Sequence, residues 1–102
     1  MSSSPPTTIR QRLLARRSDV LALAKRHGAS NLRVFGSIAK GQERAGSDLD
    51  LLVDLAGDQS LLGLISLRQA LEDLLGCSVD LAEAETLHPL IRAEILEQAK
   101  AL

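Results

Sequence analysis

Residues 48–55, which read DLDLLVDL, constrain the fold of this chain more than any other stretch. Apolar and acidic residues alternate there, and a period of two is typical of a strand with one buried face. The face expected to be buried carries Leu49, Leu51, Val53 and Leu55. The opposite face carries Asp48, Asp50, Leu52 and Asp54. Aspartate is disfavoured inside strands, so this second face predicts a functional edge rather than a purely structural one.

Other patterns place further elements around this strand. Thr8 and Gln11 form a capping box that predicts a helix through about His27, with Gly28 as its stop. Residues 32–35 predict a first strand, residues 38–40 a single helical turn, and residues 79–82 a third strand. Leucines at helical spacing predict a helix over residues 61–75, and Pro89 opens a last helix that is expected to run to Leu102. The sequence therefore predicts an α+β fold: a small mixed sheet of about three strands with flanking helices.

The 102 residues suffice for one aliphatic core, so residues 9–102 are predicted to form one domain after a disordered leader at residues 1–8. No apolar run reaches the roughly 18 residues that a membrane span requires. No signal peptide is recognisable either, and we expect a cytoplasmic protein without a membrane partner. The single cysteine, Cys77, excludes an internal disulfide.

Charge is distributed unevenly along the chain. The first 44 residues contain nine basic and two acidic residues, whereas the remainder contains three basic and eleven acidic ones. One half could therefore attract phosphates while the other holds cations. Phe35 is the only aromatic residue, so the chain lacks the stacking side chains of single-strand binders, and no direct contact with nucleic acid is expected.

Two short motifs carry the predicted chemistry. Gly36 and Ser37 follow the first strand, where the missing Cβ lets a ligand approach backbone N–H groups that can face a nucleotide phosphate. Asp48 and Asp50 lie two residues apart on one strand face, with Cα atoms about 6.5 Å apart. Two such carboxylates, with no His or Cys nearby in sequence, suit Mg²⁺ or Mn²⁺ rather than zinc.

A two-metal site for phosphoryl or nucleotidyl transfer generally needs a further carboxylate from another segment. Asp54 lies about 13 Å along the strand from Asp50, which is too far for a compact cluster. Asp80 lies on the third predicted strand, and a neighbouring strand is only about 4.8 Å away. We therefore predict Asp80 as the third ligand.

Competing motifs fail on residue identity. Gly36 and Gly41 have the glycine spacing of a Walker loop, but Gln42 and Glu43 occupy the positions that require Lys and Ser or Thr. Ser37 is not in a G-x-S-x-G elbow, which argues against a serine hydrolase.

The combined motif resembles a known family. Val34-Phe35-Gly36-Ser37, ten intervening residues, and Asp48-Leu49-Asp50-Leu51-Leu52-Val53 resemble the signature of the minimal nucleotidyltransferases of the DNA polymerase beta superfamily, the antitoxins of HEPN/MNT toxin–antitoxin pairs. Val79-Asp80-Leu81 resembles the segment that carries the third family carboxylate. The resemblance extends from about Asn31 to the C-terminus and implies a nucleotidyltransferase, polymerase beta-like fold.

This resemblance implies transfer of AMP from ATP to a hydroxyl of a HEPN-type toxin, typically a tyrosine, within a hetero-oligomer. By position, Gly36 and Ser37 would hold the triphosphate, and Asp48 and Asp50 would ligate two Mg²⁺ or Mn²⁺ ions. Asp80 would bind the acceptor-side metal and help to activate the hydroxyl. Further candidates for contact with phosphate are Lys40 and Arg44. Two alternatives stay open: a non-catalytic antitoxin that neutralises its partner by binding, and a small-molecule nucleotidyltransferase.

Overall fold

The computed structural model describes residues 8–43, 47–56 and 61–102. The helices and strands in those parts of the chain are, in order, α1 Ile9–Ala15, α2 Arg17–Arg26, β1 Ala29–Phe35, α3 Gly36–Ala39, β2 Leu49–Leu55, α4 Leu61–Leu75, β3 Val79–Glu83, a 3₁₀ turn Ala84–Thr86, α5 Pro89–Gln98 and β4 Lys100–Ala101. Of the expected leader, only Thr8 is described, and it caps α1. No helix in these ranges is both long enough and apolar enough to cross a membrane.

The first helical segment differs from the sequence prediction. The capping box is present, because the Thr8 hydroxyl accepts from the Gln11 N–H and the Gln11 side chain accepts from the Thr8 N–H. The single helix predicted to run to His27 is wrong, however, since the chain leaves helical geometry at Arg16, with φ −109° and ψ 18°. No glycine or proline marks this break. Tertiary packing decides it, because α1 packs against α4 whereas α2 packs against both β1 and α4.

The sheet has the strand order β3-β2-β1-β4. Strands β2 and β3 are parallel, whereas β1 is antiparallel to both of its neighbours, β2 and β4. The prediction of a mixed sheet is therefore confirmed. Strand β1 begins three residues earlier than predicted, and the added part contains a bulge between Ser30 and Arg33, beside Asn31 at φ +54°.

The end of the chain differs from the prediction as well. The last helix was expected to include Ala99 and Leu102, but α5 ends at Gln98 and Ala99 adopts an extended conformation. The next two residues form β4, and the Leu102 N–H donates to the Leu32 carbonyl at 3.0 Å. The free edge of β1 offers these residues backbone hydrogen bonds that a helix end cannot supply. The described sheet thus has four strands, close to the three expected.

The main core lies on one face of the sheet. It is formed by apolar side chains of α1, α2, α3 and α4 and of the strands β1, β2 and β3, and the fully buried members include Val20, Leu49, Leu51, Val53, Leu67 and Leu71. Leu52 is also fully buried, although it points to the opposite face of β2. The predicted inward face of β2 is confirmed for residues 49, 51 and 53. This core holds β1, β2 and β3 in place.

Candidate active site

The turn after β1 is built around Gly36. Its φ of +74° is one that L side chains rarely adopt, and it carries the chain from the end of β1 directly into α3. A Cβ built on Gly36 would lie 3.1 Å from Cγ of Asp50 and closer still to Oδ2. Glycine is therefore required twice at this position, for backbone conformation and for space. The predicted phosphate turn and the predicted metal-binding strand are in direct contact.

Asp48, Asp50 and Asp80 lie at one end of the sheet, which we call the acidic edge. Asp50 is the partner of Phe35 across the antiparallel pair and of Asp80 across the parallel pair. Residues paired across strands project to the same face, so the Asp50 and Asp80 side chains are neighbours. Asp48 is exposed and precedes Asp50 by two residues, and Asp80 is also exposed. The three residues lie at the ends where β2 and β3 begin.

The electrostatics of this edge are unfavourable without a cation. Burial raises the pKa of the Asp50 carboxyl above its ordinary value, and the nearby charges of Asp80 and Asp48 raise that pKa further. Partial desolvation and like charges both disfavour the ionised form. The edge therefore combines mutual repulsion with a set of hard oxygen donors, which is the environment that a divalent cation relieves.

These donors fit Mg²⁺ or Mn²⁺ in kind. Carboxylate oxygens are the ligands such ions prefer, and the missing Cβ at Gly36 gives the Asp50 carboxylate the space that it occupies. Over the described ranges, however, no three His, Cys, Asp or Glu side chains are grouped so that they could hold a metal ion as they stand. Strand register makes neighbours of Asp50 and Asp80, and the role of Asp48, Asp50 and Asp80 as a set of metal ligands stays a prediction.

Two of the remaining predicted site residues, Ser37 and Lys40, lie in or at the end of α3. Ser37 lies in the first turn of α3, and its carbonyl accepts a hydrogen bond from the Gln42 N–H at 2.8 Å. Lys40 is exposed at the C-terminal end of α3. Arg44 lies outside the described residues. The phosphate-binding roles assigned to these three residues stay predictions.

The rejected candidate, Asp54, is engaged elsewhere. Its carboxylate accepts from Arg33 Nη2 at 3.1 Å and from Asn31 Nδ2 at 2.9 Å. These partners lie toward the start of β1, at the opposite end of β2 from Asp50. The structure thus gives Asp54 a role in holding the bulged part of β1.

Sequence reasoning missed two residues near this edge. The Glu43 carboxylate accepts hydrogen bonds from the first backbone N–H groups of α1, and the Arg12 guanidinium donates to the carbonyls of Leu75 and Gly76. The partners are separated by 33 to 64 residues. No local pattern carries such a signal, because both contacts depend on where α1 packs.

A mixed sheet with a glycine turn after its first strand and carboxylates at the start of two adjacent parallel strands is the arrangement of a nucleotidyltransferase. The family model for the nucleotidyltransferase domain matches residues 18–102. The chain therefore belongs to this family, and the resemblance seen in its sequence is confirmed. The match begins after α1.

Relatives narrow the class to the minimal nucleotidyltransferases. Protein adenylyltransferase MntA of Thermococcus cleftensis is 40% identical over 76 residues, which cover 74% of this chain and 77% of that protein. A solved structure provisionally described as a minimal nucleotidyltransferase is 44% identical, with a TM-score of 0.86 over 96% of this chain and all of that one. The predicted nucleotidyltransferase fold is thereby confirmed.

Chains of solved toxin–antitoxin complexes share the fold at lower identity. One complex contains AMP-PNP, and its chain is 22% identical with a TM-score of 0.73, covering 82% of this chain and 69% of that one. Another complex joins a tri-AMPylated Shewanella oneidensis HEPN toxin to an MNT antitoxin; the matching chain is 19% identical with a TM-score of 0.67, over 86% and 69% of the two chains. At these identities the likeness concerns the fold alone.

Proposed function

We propose that this nucleotidyltransferase transfers AMP from ATP to a hydroxyl of a HEPN-type toxin and thereby acts as its antitoxin. The observation that carries the proposal is the position of Asp50, which lies between the backbone of Gly36 and the register partner Asp80. A turn suited to phosphate and a set of oxygen donors for a cation are thus adjacent. The relative named protein adenylyltransferase supports the reaction type.

The predicted site residues are proposed to serve two substrates, the nucleoside triphosphate and the acceptor hydroxyl. Gly36 and Ser37 would hold the triphosphate, and Lys40 and Arg44 would contribute positive charge to phosphate binding. Asp48, Asp50 and Asp80 would hold two divalent cations. When bound, such ions neutralise charge on the phosphoryl oxygens and orient in-line attack. Asp80, which is exposed near the start of β3, would bind the acceptor-side metal and help to activate the acceptor hydroxyl.

The acceptor is proposed to be a tyrosine on a separate protein. This sequence contains no tyrosine, so it cannot supply such an acceptor itself. The AMPylated HEPN toxin bound to an MNT antitoxin is the precedent among the structural relatives. The proposal includes a hetero-oligomer, because donor site and acceptor would be on different chains, and it places both proteins in the cytoplasm.

A transfer assay tests the proposal. The chain is incubated with ATP labelled on the α-phosphate, Mg²⁺ and a HEPN-type toxin, and label on the toxin is measured together with the modified residue. We expect labelling of a toxin tyrosine that the Asp48→Asn, Asp50→Asn double variant abolishes. Asp54→Asn is the matched control, since Asp54 lies on the same strand face but is held by Arg33.

Two other results would each overturn the proposal. A toxin that is inhibited in a stable complex but never labelled would identify a binding antitoxin with an idle site. Labelling of a small molecule in place of the toxin would identify a small-molecule nucleotidyltransferase. Replacing Mg²⁺ by Mn²⁺ in the same assay establishes which ion supports the faster transfer.

A further inference from the structure

Helix α1 contacts both segments that lead into the acidic edge. It spans Ile9–Ala15 and thus lies outside the matched family range, which begins at residue 18. Two of its side chains, those of Ile9 and Leu13, are buried in the main core. The helix is therefore anchored in the body of the protein, and whatever is bonded to it is held in a fixed position.

The first contact involves the segment before β2. Glu43 Oε2 accepts from the Ile9 N–H at 2.6 Å, and Oε1 accepts from the Arg10 N–H at 3.1 Å. These N–H groups belong to the first turn of the helix, where no intrahelical acceptor exists, and a negative charge there is favoured by the helix dipole. Glu43 is five residues before Asp48. This contact holds Glu43, the last residue of the described range 8–43, at the start of α1.

The second contact involves the turn before β3. Arg12 Nη1 donates to the Gly76 carbonyl at 3.1 Å and approaches the Leu75 carbonyl at 3.5 Å. Gly76 is four residues before Asp80 and has a positive φ of +67°. A charged donor on the last carbonyls of α4 also suits the dipole of that helix. The same helix α1 thus holds the segment that leads into the third carboxylate.

The starts of β2 and β3 are also bonded, because the Leu49 N–H donates to the Ser78 carbonyl at 2.9 Å. The Val79 N–H at the start of β3 donates to the Glu72 carboxylate on α4 at 3.0 Å. These bonds immediately flank the carboxylate-bearing positions of β2 and β3. If either contact with α1 is lost, we expect faster hydrogen exchange at the Leu49 and Val79 amides.

We propose that α1 acts as a strap that sets the spacing between Asp48 and Asp80, with Glu43 and Arg12 as its positioning residues. The consequence for catalysis rests on the proposed function, since the strap positions the carboxylates of the nucleotidyl site.

Amide hydrogen exchange tests the strap independently of any activity. We expect Glu43→Gln and Arg12→Gln each to speed exchange at the Leu49 and Val79 amides by roughly tenfold, as local opening does, without a similar change in the centre of the sheet. Arg12→Lys keeps a cationic donor and should restore slow exchange. Arg10→Gln, on the same helix, is the control, because its backbone N–H still donates to Glu43. Unchanged exchange at both amides overturns the proposal.

Binding of Mg²⁺ with a non-hydrolysable ATP analogue, measured by calorimetry, gives the functional readout. We expect the two Gln variants to bind roughly tenfold more weakly, and the double variant to bind little more weakly than the worse single one, because release at either end already frees the spacing. If the variants lose thermal stability but bind the analogue with unchanged affinity, α1 has a structural role only. Failure of the unmutated chain to bind the analogue would instead count against the proposed function, and the exchange result would still decide the strap.

Discussion

Gly36 lies directly against the Asp50 side chain at the end of the sheet: a Cβ on residue 36 would lie 3.1 Å from Cγ of Asp50 and closer still to its Oδ2. The contact joins the end of β1 to the start of β2, which are antiparallel neighbours with Phe35 opposite Asp50. It explains why a glycine is needed at the turn. It also makes the phosphate turn and the first carboxylates a single structural unit.

Replacing Gly36 tests this relationship. We expect Gly36→Ala to cost about 1–2 kcal/mol for the positive φ, and roughly 1–3 kcal/mol more because its Cβ displaces Asp50. Chemical denaturation measures the loss of stability. We expect the rate of nucleotide transfer to fall by more than this loss of folded protein explains, because the displaced Asp50 belongs to the proposed site. Gly41→Ala is the control, because Gly41 has a φ of +72° but its added Cβ would meet nothing within 4 Å. Equal losses in both variants would argue that the contact with Asp50 is unimportant.

The raised pKa of Asp50 gives a pH-dependent prediction. Ionised Asp50 is unfavourable in the fold, so the stability that its protonated carboxyl contributes is fully present below the ordinary pKa of 3.8 and is lost as pH rises through the raised pKa. Asp50→Asn is neutral at every pH and should therefore melt at a higher temperature than the unmutated chain at pH 7. The advantage should shrink as pH falls toward 3.8. Glu94→Gln, an exposed charge change on α5, should show no such trend.

Ligand binding should stabilise the fold by mass action. At a nucleotide concentration about 100 times Kd, with saturating Mg²⁺, the expected gain in unfolding free energy is about 2.7 kcal/mol. Scanning calorimetry of the unmutated chain should show a higher Tm with both ligands than with either one. Asp50→Asn should lose this response while remaining folded. A melting curve insensitive to both ligands would contradict the assignment of the edge as a metal and nucleotide site.

The core makes a separate prediction about stability. Leu51 is fully buried beneath the acidic edge, and Leu51→Ala should cost about 2–5 kcal/mol through lost burial and the cavity left behind. Leu62 is 75% exposed on α4, so Leu62→Ala should change stability by no more than about 0.5 kcal/mol. Urea denaturation compares the two. Similar costs would mean that the apolar alternation of β2 does not mark the core face.

The sequence predicted β2, the strand that carries Asp50, because the alternation of apolar and polar residues is a local signal. Alternation from residue 49 to residue 54 decided which face of β2 is buried, and the residues of one strand cannot exchange faces without a shift in register. The capping box at Thr8 was equally local and is present. The break at Arg16 and the strand at Lys100 could not be read in this way, because both depend on the element against which the segment packs.

The sequence by itself determined the residue types at the acidic edge, their separation along the chain and the family to which they belong. Only the tertiary structure decided that Asp50 is paired with Asp80, that Asp54 is held by Arg33, and that α1 bonds to the segments before both strands. The reason is physical: periodicity and capping report interactions within a few residues. Strand register and long-range hydrogen bonds, by contrast, are fixed only when the whole core packs.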